Sequence, residues 1–126
     1  SYFDLAAQNG IGIVIRSALM KGLLSTKGKN LHPALQSVEQ HIKRFTELPD
    51  ITYQSLPLLA KRFALSFDQV SAVLVGMDHS SQLEDVLVAV ESGKLNEKTL
   101  QQLIGLSYPD PDFLNLHTWS VNDWLK

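Results

Sequence analysis

Two short apolar runs and four one-sided apolar repeats organise the chain. Ile11 to Ile15 and Ala72 to Val75 are continuous, rich in β-branched residues and closed by glycine and polar positions, which predicts two buried strands. Between and after them, apolar residues recur at helical spacing. Leu35, Val38, Ile42 and Phe45 form one stripe, behind Pro33 in a first turn. Leu56, Leu59, Ala60 and Phe63 form a second, with Ser55 as N-cap and Pro57 in the first turn. Leu83, Val86, Leu87 and Val90 form a third, opened by a Ser81/Glu84 capping box and stopped by Gly93. A shorter stripe, Leu100, Leu103 and Ile104, follows an N-cap signal at Asn96. Tyr2 to Asn9 reads as the last turns of one more helix. The pattern therefore predicts an α/β protein with two strands and about five helices.

The second strand leads straight into Gly76, the polar Asp78-His79-Ser80-Ser81 and a helix N-terminus. Gly76 is expected to permit a turn closed to other residues. The first N–H groups of a helix lack intrahelical partners and carry the positive end of its dipole, so such a junction can hold a phosphate. It serves equally as a plain strand-to-helix connection. One local signal conflicts with this order, since Ser66-Phe67-Asp68-Gln69 is a capping box that should open a helix, yet the second strand begins almost at once.

Composition narrows the function classes. A formal charge of −2 with dispersed lysines gives no basic stripe and argues against nucleic acid. There are no cysteines, which excludes disulfides and thiolate metal sites within the chain and fits a cytoplasmic protein. No apolar run is long enough to span a bilayer, and no signal-peptide pattern is read. His32, His41, His79 and His117 lack metal-ligand spacing, and His41 is expected on a solvated helix face. No G-x-S-x-G elbow or P-loop is present. The tail crowds Tyr108, Phe113, Trp119 and Trp124 among prolines; these aromatics either dock on the exterior or at a subunit contact, or wall a substrate pocket, docking being favoured.

The pairing of GIGIVIRSALMKGLL (from Gly10) with VLVGMDHSSQLEDVLVAV (from Val73) resembles the seventh and eighth strands of the aldo-keto reductase barrel. That family writes Gly-Ile-x-Val-x-x-x-Ser-Pro-Leu-x-x-Gly and then Val-Ile-Pro-Gly with Gln-Leu-x-Glu-Asn beyond. The resemblance implies the C-terminal part of a (β/α)₈ barrel. Such a barrel takes about 250 residues, so the 126 residues would be half of one domain. The family's proton-donating tyrosine and its lysine, aspartate and histidine partners lie on earlier strands, so no catalytic residue is expected here and the 126 residues alone should be inactive. What this half should do is bind NAD or NADP. Arg16, Ser17, Leu19 and Gly22 match positions along the pyrophosphate and nicotinamide ribose, and Gly76, Asp78, Gln82 and Asp85 match the adenosine end; no metal is implied.

Departures from the family pattern shape the expectation. Ala18 and Val75 replace prolines, Val86 replaces an adenine-binding asparagine, and Arg16 replaces an aromatic residue that stacks on the nicotinamide. Asp78 and Gln82 stand where NADP-preferring members carry a hydroxyl or lysine and an arginine, which implies a modest preference for NAD. The substrate implied is a small carbonyl compound or sugar-like alcohol. The alternative is a non-catalytic barrel fragment or regulatory nucleotide-binding subunit. The family also has a full helix at the Ser66 capping box. A segment on the order of ten residues, a normal helix length, is therefore expected to be missing near residues 69–71, because losing a barrel helix would uncover its strand.

Overall fold

The computed structural model describes residues 1–125, and within them six α-helices accompany a two-stranded parallel sheet. In chain order these are α1 (Tyr2–Gln8), β1 (Ile13–Ile15), α2 (Gln36–Phe45), α3 (Leu56–Leu65), β2 (Val70–Val73), α4 (Ser80–Glu91), α5 (Glu97–Gly105) and α6 (Leu116–Val121), with 3₁₀ turns at Met20–Gly22 and Pro33–Leu35. This is a partial (β/α) barrel: parallel strands joined by a helical crossover. Both strands are shorter or earlier than the apolar runs suggest, because pairing ends where a partner ends. Ile13 faces Val70, Val14 faces Ala72 and Ile15 faces Val73, with an irregularity after Ile13.

The helix α2 follows its periodicity. Leu35, Val38 and Ile42 are buried, and with Leu23, Leu56 and Trp119 they form the core. His41, expected in solvent, is buried instead. Its Nε2 lies 2.6 Å from the carbonyl oxygen of Leu106, and Phe45 and Tyr108 meet its ring edge to face. The α5 C-terminus covers the polar-looking face of α2 and supplies the partner a buried imidazole needs.

The tail folds as α6, an element its irregular pattern does not reveal. Asn115 caps it, accepting from the N–H groups of His117 and Thr118 at 3.1 Å each. Trp119 is only 1% exposed. It packs in the main core with Leu23, Leu35, Val38, Ile42 and Leu56. Around it, Phe113 lies 5.7 Å from the Trp119 ring and 6.5 Å from that of Trp124.

The loop after β1 is held down by two devices. Gly28 is buried, and a Cβ built on it would lie 2.3 Å from the Leu23 carbonyl oxygen. The Glu39 carboxylate on α2 accepts from the N–H groups of Asn30 at 3.0 Å and Leu31 at 2.8 Å. Burial and the nearby Glu39 charge raise the pKa of the Tyr53 hydroxyl, and Lys29 sits 4.3 Å above the Tyr53 ring.

The stretch with the conflicting helix signal opens no helix. Val70 donates to the Phe67 carbonyl at 3.0 Å, closing a turn that joins α3 to β2. The Ser66 hydroxyl donates to the Arg62 carbonyl at 2.6 Å and accepts from the Leu95 N–H at 2.9 Å. Helix α3 lies against β2. Arg62 then ties α3 to the end of α4, donating to the carbonyls of Gly93 (2.9 Å), Ser92 (3.3 Å) and Lys94 (3.0 Å). These are the carbonyls a helix C-terminus leaves free or exposes just beyond it.

The apolar stripe of α4 is divided. Ala89 is buried and Val86 half-buried, while Leu83, Leu87 and Val90 are exposed. On the sheet, alternation does the same. Ile15 and Val70 look towards α2 and α3 across an apolar cavity of about 460 Å³, whereas Val14 and Leu74 are more than half exposed on the opposite face. Among the described residues no helix is long and apolar enough to cross a membrane.

Candidate functional site

Parallel pairing brings the two predicted motifs to one edge of the sheet. With Ile15 opposite Val73, and the Leu74 N–H donating to the Ile15 carbonyl at 2.8 Å, both strands end side by side. The loops carrying Arg16 to Gly22 and Gly76 to Gln82 therefore leave from the same edge. In open and closed α/β architectures, the carboxyl edge is where the connecting loops can converge on a ligand.

The β1 loop has an unusual backbone. Ser17, Met20 and Lys21 have φ of 58°, 48° and 55°, and Gly22 has φ of 89°. A left-handed conformation is uncommon for a residue with a Cβ, and three in five positions concentrate strain beside the strand end. Two tight bonds hold it, Met20 N–H to Ser17 O and Gly22 N–H to Leu19 O, each 2.8 Å. Leu19 is half-buried, while Ser17 and Arg16 are exposed. Lys21 reaches across to the tail and donates to the Ser120 hydroxyl at 2.5 Å.

The second loop departs from expectation at its start. Gly76 lies outside the left-handed region and a Cβ there would meet nothing within 4 Å, so this turn is not closed to other residues. Nor does Ser81 cap the helix. His79 is the N-cap, and Gln82, in the third helical position, accepts from the backbone N–H groups of Asp78 at 2.6 Å and His79 at 3.3 Å. The capping signal sits two residues earlier than the Ser81/Glu84 pattern places it, because glutamine does the reaching back that the pattern assigns to glutamate. One consequence is that the Gln82 side chain is already engaged. Asp78 and Asp85 are exposed, and the Asp78 carboxylate accepts no hydrogen bond from the described residues.

Charge is distributed unevenly between these loops. From Leu5 to Val38 there is no carboxylate, but Arg16, Lys21, Lys27 and Lys29 fall there, a balance of +4 in a chain whose formal charge is −2. A count along the sequence would have found this; reading the lysines as dispersed misses it. The segment after β1 is thus cationic in sequence, with the Glu39 carboxylate folded against its end at Asn30 and Leu31, and the loop into α4 and its first turns carry Asp78, Glu84 and Asp85. Among the described residues no group of three or more histidine, aspartate or glutamate side chains is arranged to hold a metal.

The sequence profile of the Aldo/keto reductase family matches residues 1–107, from α1 through α5 and across both loops. The chain belongs to that family. A curated relative, L-galactose dehydrogenase of Arabidopsis thaliana, is 30% identical over 104 residues, covering 79% of this chain and 33% of that protein. This aldo/keto reductase chain therefore spans about a third of the length of the curated relative it matches. No solved structure matches it at a significant level. The profile match ends at Ser107, before the aromatic tail and α6.

Proposed function

We propose that residues 1–126 are the dinucleotide-holding C-terminal half of a single aldo/keto reductase barrel domain, carrying its seventh and eighth strands. The whole enzyme would be an oxidoreductase that reduces small aldehydes or oxidises sugar-like alcohols. The relative named for L-galactose supports the sugar-like class. Family members generally use NAD(P)H, and the bound nicotinamide ring supplies or accepts the hydride.

The observation that carries this reading is the parallel pairing that sets the Ser17–Gly22 loop beside the Gly76–Gln82 loop. The residues fit an anionic dinucleotide. Gly22 adopts a left-handed turn, and the backbone N–H groups of Ser80 and Ser81 at the start of α4 have no partner among the described residues. Ser17, Leu19 and Gly22 would hold the pyrophosphate and nicotinamide ribose. Gly76, Asp78 and Asp85 would flank the adenosine end. Gln82 would act there through the loop it fastens, since its carbonyl oxygen already serves two backbone donors.

The preference for NAD over NADP then rests on Asp78. Its carboxylate does not bond the helix N-terminus, which leaves it free to accept from a ribose 2′-OH and to repel a 2′-phosphate. Lys21, a basic candidate for a phosphate contact, is engaged with Ser120. Steady-state kinetics of the full-length protein with both cofactors should show higher kcat/KM with NAD(H). Asp78→Ser should move the ratio towards NADP(H) by roughly tenfold, the scale of one charge-assisted hydrogen bond. A wild-type preference for NADP(H), or an unmoved ratio in the variant, would remove Asp78 as the selector.

A further inference from the structure

We infer that Arg16 determines substrate specificity, and that it selects carbonyl substrates bearing a carboxylate. The inference rests on the oxidoreductase reading of the same edge. Strand alternation places Arg16 on the face of the sheet that carries Val14 and Leu74, opposite the face Ile15 turns to α2 and α3. In a (β/α)₈ barrel the helices lie outside, so the face turned away from them looks into the barrel. Arg16 is one residue beyond the last β1 pairing, at the carboxyl end of that inner face.

Within residues 1–125 the guanidinium is uncommitted. Among the described residues, no side chain or carbonyl bonds Arg16, and no carboxylate lies in its own segment between Asp4 and Glu39. The inner-face neighbours Val14, Ala72 and Leu74 are apolar. A planar fork of donors rising from an apolar floor matches a carboxylate bidentately and offers nothing to an uncharged chain end. The strained turn that begins at Ser17, with φ of 58°, fixes the chain immediately after it. A dinucleotide pyrophosphate offers a related anion, so the experiment has to separate the two.

The pair of probes is 4-oxobutanoate and butanal, two aldehydes of equal chain length that differ in one terminal carboxylate. In the full-length protein kcat/KM should favour 4-oxobutanoate. Arg16→Gln should reduce the ratio of the two kcat/KM values about tenfold or more, the worth of a charge-assisted bidentate contact, and Arg16→Lys should retain part of it. A ratio unchanged in Arg16→Gln, with both rates falling together, would overturn the inference and assign Arg16 to the cofactor. Calorimetric titration with succinate supplies a readout independent of turnover. It should show binding to the wild type that is at least about tenfold weaker in Arg16→Gln. Equal succinate binding in the two proteins also overturns the inference, whereas absence of turnover of every small aldehyde and sugar-like alcohol tried, these two aldehydes included, with either cofactor overturns the oxidoreductase reading itself.

Discussion

Trp119→Ala will destabilise the protein by about 3–5 kcal/mol, the range for truncating a large buried aromatic side chain. Trp119 is 1% exposed and lies in one cluster with Leu23, Leu35, Val38, Ile42 and Leu56. Those residues come from the loop after β1, from the run into and through α2, and from the start of α3. The indole therefore fastens the tail to the segment that presents the candidate site. Removing it leaves a cavity that neighbours from three different elements cannot close without moving together. Urea unfolding should show a lower midpoint with an unchanged slope. A loss under about 1 kcal/mol, the size of a surface substitution's effect, would mean that the tail is not part of the core.

The second large effect is expected at Gly28. A methyl group there would stand 2.3 Å from the Leu23 carbonyl oxygen and 3.3 Å from Ile42 Cγ2, so the loop must shift against α2. Gly28→Ala should cost about 1–3 kcal/mol, as overpacking does. The shift should also strain the bonds from Asn30 and Leu31 to Glu39. Amide hydrogen exchange would report this as lost protection at Leu31. Unchanged stability together with unchanged exchange would show that the loop is not packed this closely.

These two positions show where sequence reading reached its limit. The α2 stripe was legible because Leu35, Val38 and Ile42 repeat at helical spacing and all three are buried, as periodicity requires. The Asn96 cap was legible for the same local reason, and its Oδ1 accepts from the Thr99 N–H at 2.9 Å. By contrast, the burial of His41 depends on α5, sixty-five positions away at the Leu106 carbonyl, and no local pattern encodes that partner. The rotation of α4 is similar. Leu83, Val86, Leu87 and Val90 look equally buried in sequence, but of the α4 apolar residues only Val86 and Ala89 are covered in the fold. Capping was ambiguous wherever two signals overlapped. Gln82 took the role read for Glu84, and Ser66 used its hydroxyl to join α3 to the chain before α5 without starting a helix.

For the candidate site, the spacing of the motifs with the strand pattern was enough to bring Arg16, Ser17, Leu19 and Gly22 to the edge that holds Gly76 and Asp78. The parallel register that does so is a tertiary fact, yet it follows from the helical crossover a parallel pair needs. The left-handed conformations of Ser17, Met20 and Lys21 were not legible, because none of these residue types requires them.

The central claim, that these strand ends hold a dinucleotide, is tested most directly by titrating the full-length protein with NADH and NADPH and repeating the titration on Gly76→Val. A side chain at residue 76 meets no protein atom within 4 Å and the backbone is not left-handed, so the substitution should leave unfolding unchanged. Any loss of binding then reports on a ligand brought close to that backbone. The account predicts saturable binding by the wild type and a dissociation constant raised by about tenfold or more, some 1.4 kcal/mol, in Gly76→Val. Absence of binding to the wild type, or equal dissociation constants in the two proteins, would contradict it.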